Sequence, residues 1–191
     1  MNQVQMSLPA NIVSHPLLTQ WFGVEHLPQL TVYTGKVELG QGIQTALRQI
    51  AAQELGLDLT QIHWVAGNTA VAPNEWYTAG SLSIENGGAA LKSALGFARW
   101  LFLQAAAKNL GVAVGLIEIR HGIFSSSTSP SNRTVSYAEL ASQVNLNVPI
   151  QGSIEIDQSL QQVKMRVVGQ DIARDDLIAK LSGAAFIHDM V

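Results

Sequence analysis

The sequence predicts a mixed α/β (α+β) fold built from strand–loop–helix units. An apolar run at residues 30–34 leads through the glycine-flanked Gly40-Gln41-Gly42 into an amphipathic stretch at residues 43–55. A second run at residues 61–66 leads through a loop ending in the small residues of 78–83 into a long, alanine-rich helical pattern near residues 84–108. Because apolar residues repeat with period 2 in strands and 3.6 in helices, these alternations predict the order β-α-β-α.

Proline, glycine and asparagine mark the predicted ends of these elements. Three prolines interrupt residues 1–29, which we interpret as a lead-in segment. Gly56 ends the first predicted helix, and Asn109-Leu110-Gly111 ends the second, because glycine and asparagine favour a left-handed cap.

The second half of the chain predicts a hairpin, a short helix and a linker. His121-Gly122 suits a tight turn between strands at 116–120 and 123–125. The spacing of Ser136 and Glu139 is that of a capping box and predicts a helix through Val144. Residues 145–162 are polar and unpatterned, so we expect a linker there. The predicted organisation is therefore a partial domain at 30–144, this linker, and the start of another domain at 163–191.

Charge and cysteine content exclude several classes of protein. The 191 residues hold 11 basic and 14 acidic side chains, with no basic cluster, so nucleic acid is not an expected partner. The absence of cysteine excludes thiolate zinc sites and iron–sulfur ligation within this chain. Its five histidines are scattered, so no histidine-held metal is expected. Only 13% of residues are charged, against roughly 25% in a typical domain, which suggests that another polypeptide covers some apolar surface.

Neither a membrane span nor a secretory signal is expected. Residues 1–10 lack a basic and an apolar region, and Arg99 and Gln104 interrupt the most apolar window, 94–107. The cytoplasm is therefore the predicted location.

The two loops are candidate ligand cradles. A strand that turns through glycines into a helix presents free backbone N–H groups and the positive end of a dipole. The first loop is V-E-L-G-Q-G at residues 37–42, and the second is T-A-G-S-L-S at residues 78–83. A lone G-Q-G is more often an ordinary strand-to-helix turn, and the second loop is what favours a ligand. Trp76-Tyr77 could line a pocket for an aromatic substrate, although packing is the commoner use of such residues.

Several motifs resemble one known family. T-G-K-V-E-L-G-Q-G-I at residues 34–43, Q-I-A-A at 49–52 and T-A-G-S-L-S at 78–83 resemble the molybdopterin-binding subunit of the xanthine dehydrogenase and aldehyde oxidase family. The likeness is greatest to the beta subunits of isoquinoline 1-oxidoreductase and nicotinate dehydrogenase. The stretch that leads into the hammerhead domain of that family resembles R-V-V-G at 166–169, Arg174, Asp176, Lys180 and residues 182–189.

The resemblance implies a cofactor and residues to hold it. In the family, the glutamine of the G-Q-G loop hydrogen-bonds an oxo group of the molybdenum centre or the neighbouring pterin, and the small-residue loop packs on the pterin. It thus implies a molybdenum–pterin cofactor, in its cytosine dinucleotide form, bound by Gly40, Gln41, Gly42, Gly80, Ser81 and Ser83. A neutral glutamine amide suits a metal-oxo group, and glycine lets the backbone approach.

The resemblance also implies a reaction and partners. The reaction is hydroxylation of a heteroaromatic or aldehyde substrate with oxygen from water, by a molybdenum hydroxylase whose iron–sulfur clusters lie on a partner subunit. Family members carry their general-base glutamate in polypeptide that would follow Val191, so no catalytic residue is assigned and the isolated chain is expected to be inactive. The alternative is a non-catalytic α/β interaction or scaffold module derived from this family.

Overall fold

One small sheet holds the two strands that the sequence predicts in its first half. The computed structural model describes residues 7–129, 133–174 and 176–183. Strand β1 (Phe22–Gly23) pairs antiparallel with β2 (Leu30–Thr34), and β2 pairs parallel with β3 (Ile62–Ala66). The register of the parallel pair runs from Leu30 opposite Ile62 to Thr34 opposite Ala66. Both predicted strands are confirmed, the second within one residue of its predicted start.

The first long helix follows β2. This helix, labelled α2, spans Ile43–Leu55, and the short α1 (Ala10–Ser14) precedes the sheet. The helix begins at the predicted residue, directly after the left-handed Gly42, whose φ of 82° no helical residue adopts. Gly56 ends it, as the sequence predicts. Leu47, Ala51 and Leu55 are buried, so the apolar face of α2 lies in the core.

The second long helix, α3 (Ala89–Leu110), starts later than predicted. A π-helical segment at Ser83–Gly88 precedes it, so regular α-helix begins at Ala89. Gly88 lies against Leu47 and Ile50, while further along α3 Gly96 lies beside Glu54. Helices α2 and α3 therefore run side by side in the same direction, which places their beginnings at one end of the molecule.

A buried ion pair joins the long helices to the later part of the chain. Helix α4 (Tyr137–Leu140) and helix α5 (Ile154–Gln158) follow α3 along the chain. Arg99 of α3 lies 2.5 Å from the Glu54 carboxylate of α2, and both are buried. The same guanidinium donates to the carbonyl of Ile156 at 3.0 Å and to Ser159 Oγ at 3.0 Å. One side chain thus connects three elements.

The second sheet contains the predicted hairpin. Strands β4 (Glu118–Arg120), β5 (Ile123–Ser125) and β6 (Val135–Ser136) pair antiparallel in that order, and His121-Gly122 forms the turn. The capping box of α4 is confirmed: Ser136 Oγ accepts from the Glu139 N–H at 3.2 Å, and Glu139 Oε2 from the Ser136 N–H at 2.7 Å. The remaining 3-10 turns are Leu18–Gln20, Leu59–Gln61, Val114–Leu116, Ala141–Gln143 and Ser159–Gln162.

Residues 145–162, which the sequence predicts to be a linker, pack on the helices. The side chains of Ile150 and, within α5, Ile156 are buried. Pro149 forms an isolated antiparallel β-bridge with Leu17. The division of the chain into domains on either side of this segment stays a prediction.

The C-terminal segment, residues 163–183, runs back along α2. The Gln53 side chain binds the carbonyl of Met165 and the N–H of Val167 at 2.9 and 2.8 Å. Gln49 donates to the carbonyl of Gln170 at 3.2 Å. The segment ends in α6 (Leu177–Leu181). Residues 184–191 of the predicted hammerhead start, and Asp175 within it, lie outside the described residues.

Within the described part of the chain, we find no helix that combines the length and hydropathy needed to span a membrane.

Candidate functional site

The two predicted cradles lie next to each other. We call residues 38–42 the first cradle and residues 78–83 the second cradle. The N–H of Val37, just before the first, donates to Thr78 Oγ1 at 3.0 Å, and Lys36 Nζ donates to the Tyr77 carbonyl at 2.9 Å. The structure therefore brings together two loops that are 41 residues apart in sequence.

The Glu38 carboxylate of the first cradle accepts hydrogen bonds from the backbone N–H groups at the start of α2. Glu38 Oε1 accepts from the N–H groups of Gly40 at 2.7 Å and Gly42 at 2.9 Å, and Oε2 from that of Gln44 at 3.1 Å. The expectation that these N–H groups are free for an anion is therefore wrong. The sequence places Glu38 four residues before Gly42, and the tight glycine turn folds its side chain back over the helix start.

The environment of Glu38 favours its charged form. Partial burial alone would raise the pKa of this carboxyl, but hydrogen bonds from the N–H groups of Gly42, Gln44 and Gly40 outweigh it. The pKa of Glu38 therefore lies below its ordinary value. A negative charge is fixed at this site, which disfavours a second anion there.

Gln41 is held in place by its own loop. Its Oε1 accepts from the Leu39 N–H at 2.6 Å, and its Nε2 donates to the Val37 carbonyl at 3.1 Å. An amide has two N–H donors and two oxygen lone pairs, so one donor and one acceptor remain beyond these two bonds. Because the residue is exposed, this remaining donor and acceptor are accessible without rearrangement of the loop.

Arg174 of the C-terminal segment lies over the first cradle. It donates to the Gly40 carbonyl at 3.1 Å and lies 3.7 Å from Glu38. Asp176 accepts from Arg174 at 2.6 Å and also from Lys180. Hydrogen bonds from Arg174 and Lys180 hold the pKa of Asp176 well below its usual range. From the sequence these three residues are only a motif leading to another domain, because long-range contacts of this kind leave no local signal.

The second cradle offers hydroxyl groups. Gly80 and Ser81 are exposed with φ of 65° and 59°, so the loop turns sharply there. Among the described residues, no hydrogen-bond partner is found for the Ser81 or Ser83 hydroxyl. These groups are accordingly available to a ligand, whereas the N–H groups of the first cradle are not.

Lys36 and Glu75 are buried beside the cradles, and neither is among the predicted site residues. They are 3% exposed each. The sequence did contain a signal for Lys36, because it lies two and four residues after Thr34 and Val32, and residues at this spacing share one face of an extended chain. All three are buried in the structure. Glu75, in a loop with proline and asparagine, carries no such pattern.

An open cavity of about 300 Å³ lies where β2 and β3 end. Its lining residues are mostly small and neutral, and they include Glu75 and Trp76. The rings of Trp76 and Tyr77 are 5.7 Å apart and each residue is 77% exposed, so neither packs in the core. Across residues 7–129, 133–174 and 176–183, no group of three or more His, Cys, Asp or Glu side chains is arranged to hold a metal ion.

The family model of the molybdopterin cofactor-binding domain matches residues 22–170. The chain belongs to this family. That confirms the resemblance to the molybdopterin-binding subunits of xanthine dehydrogenase and aldehyde oxidase that the motifs predict.

Individual relatives agree with this assignment. A nicotinate dehydrogenase subunit of Pseudomonas putida is 35% identical over 160 residues, which are 83% of this chain and 13% of that protein. Aldehyde oxidase 4 of Cavia porcellus is 40% identical over 60 residues, 31% of this chain and 4% of the oxidase. The chain therefore spans only a small part of the length of these relatives.

Solved structures show the same fold. A Cu,Mo-CO dehydrogenase chain matches with a TM-score of 0.53 and 26% identity, over 69% of this chain and 18% of that one. Quinoline 2-oxidoreductase from Pseudomonas putida 86 matches with a TM-score of 0.53 and 22% identity, over 69% and 18%. At 22% identity, the similarity to quinoline 2-oxidoreductase shows a shared fold and nothing more.

The cradles offer neutral hydrogen-bonding groups that fit the polar, uncharged part of a molybdenum–pterin cofactor. The second cradle has two hydroxyls without a partner among the described residues, and Gln41 keeps a free donor and acceptor on a fixed amide. A phosphate group does not fit at the start of α2, because the Glu38 carboxylate already accepts from its N–H groups.

Proposed function

We propose that this chain forms part of a molybdenum hydroxylase and holds the pterin of its cofactor between the two cradles. The observation that carries the proposal is that the loop with the fixed Gln41 amide is hydrogen-bonded, from the Val37 N–H to Thr78 Oγ1, to the loop with the available hydroxyls of Ser81 and Ser83. In this proposal Gly40, Gly42 and Gly80 keep the backbone close to the ligand, since glycine has no Cβ to hold it away.

The proposed chemistry is supplied by the cofactor. When bound, it would catalyse hydroxylation of a heteroaromatic or aldehyde substrate with oxygen from water. The chain's own residues would position it: Gln41 by hydrogen bonds to an oxo or pterin group, and the two serines by donating to the ring. We assign no catalytic base within this chain.

The finer features of the enzyme remain part of the proposal. We expect the cytosine dinucleotide form of the cofactor, with the dinucleotide phosphates placed away from Glu38. Iron–sulfur clusters would lie on a partner subunit, since the chain has no cysteine to bind them. The cytoplasm stays the predicted location.

The remaining molybdopterin-binding polypeptide is the proposed partner of the exposed aromatic pair. Trp76 and Tyr77 lie immediately before the second cradle, and Leu82 and Ile84 within and after it are also exposed. Exposed apolar residues gathered in this way are typical of an interface. A polypeptide covering them would exclude water from the cofactor's edge.

Metal analysis of the enzyme purified from its native host tests the proposal. We expect about one molybdenum per complex in the wild type, and a clear fall in Gln41→Ala and in Ser81→Ala/Ser83→Ala. Loss of a hydrogen bond to a buried polar group costs roughly 1–3 kcal/mol, enough to lower occupancy several-fold. Ser127→Ala, an exposed serine far from the cradles in sequence, is the matched control and should keep full occupancy.

The result also separates the proposal from the scaffold alternative. A wild-type complex without molybdenum would favour a non-catalytic module. Full occupancy and turnover in both cradle variants would show that these loops do not hold the cofactor.

A further inference from the structure

Lys36 is a buried lysine whose amino group binds backbone atoms of the segment before the second cradle. Its Nζ donates to the carbonyls of Glu75 at 2.7 Å and Tyr77 at 2.9 Å. Lysine is almost never fully buried unless it is paired, so a lysine that is 3% exposed points to a specific role. Here the role of the amino group is to hold residues 75–77.

Glu75 makes the reciprocal connection. Its Oε2 accepts from Thr34 Oγ1 at 2.5 Å and from the Gly35 N–H at 2.8 Å. Its Oε1 accepts from Asn11 Nδ2 at 3.2 Å. The Glu75 side chain, which precedes the second cradle, thus binds the backbone that leads to the first cradle. The Lys36 side chain, which precedes the first cradle, binds the backbone that leads to the second cradle.

The two side chains share one closely packed site beneath the second cradle. A Cβ on Gly87 would lie 3.0 Å from Glu75 Oε1 and 3.2 Å from Lys36 Cγ. Glycine at this position therefore gives both charged side chains their space. A further hydrogen bond, from the Val37 N–H to Thr78 Oγ1, joins the same two segments next to the cradles.

We propose that Lys36 and Glu75 are positioning residues that set the distance and orientation between the two cradles. We call the pair the cradle clamp. Neither residue touches the proposed ligand. Each holds the other loop's backbone, so the pair fixes the loop that carries Gln41 against the loop that carries Ser81 and Ser83. The inference rests on the proposed function for its consequence, although the clamp itself is a property of this chain.

Hydrogen–deuterium exchange on the 191-residue chain tests the clamp without any cofactor. The reporters are the amides of Gly35 and Val37, which donate to Glu75 and Thr78. In Lys36→Met we expect both amides to exchange at least roughly tenfold faster, while amides in the middle of α3 keep their wild-type rates. Lys164→Met is the matched control, because Lys164 is exposed and its amino group donates to the carbonyl of Gln161, three residues before it in the chain.

A second variant covers the case in which Lys36→Met loses the whole fold. Glu75→Gln keeps the size of the side chain and removes its charge, and it should speed exchange at Gly35 more than at Val37. Wild-type exchange at Gly35 in a folded Lys36→Met or Glu75→Gln chain overturns the clamp.

A separate measurement tests what the clamp does for the cofactor. In the enzyme from its native host, folded Lys36→Met should carry at most about a third of the wild-type molybdenum and give a shifted Mo(V) resonance signal. Wild-type content and signal would overturn the positioning role. If the wild-type enzyme itself holds no molybdenum, the proposed function fails, while the exchange result still decides whether the clamp exists.

Discussion

At the first cradle, the side chain of Glu38 competes with any ligand for the N–H groups of Gly40, Gly42 and Gln44. It acts as a cap placed on the loop and not at the usual capping position, which Gly42 occupies. A helix start capped in this way is stabilised and at the same time closed to anions. The cradle can therefore recognise a ligand through Gln41 but not through the helix dipole.

The cap predicts a pH-dependent contribution to stability. The pKa of Glu38 in the folded chain is lowered from its ordinary value of 4.5, so the unfolded state binds the proton more tightly. The contribution is thus complete above about pH 4.5 and is lost as the pH falls through the lowered value. We expect Glu38→Ala to lower the free energy of unfolding by about 0.5–2 kcal/mol at pH 7.

Urea unfolding of wild type and Glu38→Ala at pH 7 and at pH 3 checks this. The difference between them should be smaller at pH 3. A difference that stays constant between the two pH values would show that Glu38 acts through packing and not through its charge.

The residues of the site were only partly predictable from the sequence. The sequence predicts the loops correctly, because glycines and small residues between periodic segments are a local signal. It does not predict which hydrogen-bonding groups of the loops are already bonded within the protein, because Glu38, Arg174 and Lys36 act through contacts that only the folded chain brings together. The roles of Gln41, Ser81 and Ser83 in binding stay predictions.

Helices α2 and α3 form the unit that carries the cradles. The sequence predicts both helices and the start of α2, which follows the left-handed Gly42. It does not predict the start of α3, because hydrophobic periodicity does not reveal the π-helical segment that precedes it. The side-by-side packing of these helices at Gly88 keeps the two cradles at one end.

The buried pair Glu54–Arg99 predicts how strongly these elements depend on each other. Glu54→Leu would leave the Arg99 guanidinium buried without its carboxylate, which costs about 3–5 kcal/mol. We expect a fall of this size in the free energy of unfolding, measured by urea denaturation. Adding Arg99→Met to Glu54→Leu should recover part of the loss, since the unpaired charge is removed with it.

Glu118→Leu is the matched control, because Glu118 is exposed on β4 and its replacement should change stability by less than about 0.5 kcal/mol. If Glu54→Leu were as mild as Glu118→Leu, the pair would not connect α2, α3 and α5 as described.

On the scale of the whole molecule, the apolar residues around the second cradle remain exposed. Trp76, Tyr77, Leu82 and Ile84 form what we call the aromatic patch. The sequence suggests such a surface through its low charged fraction, but composition does not show where the surface lies. Its position beside the cradles follows from the clamp, which holds residues 75–77 at the surface.

The aromatic patch predicts that the isolated chain self-associates. We expect an apparent mass that rises with protein concentration above the 20.5 kDa of the monomer, measured by size-exclusion chromatography with light scattering. Trp76→Ser/Tyr77→Ser should return the chain to a monomer. Val13→Ser is the control, because Val13 is 68% exposed but lies on α1. A wild-type chain that stays monomeric at every concentration would contradict the prediction.

The contact between Arg174 and Gly40 sets an order of events during synthesis. The two residues are 134 positions apart, and ribosomes add about 5–20 residues each second. For about 7–27 s the growing chain therefore has its first loop but not yet the arginine that lies over it. Each newly made molecule passes through an interval in which this loop is open on its outer side, and that interval closes when translation moves past Arg174.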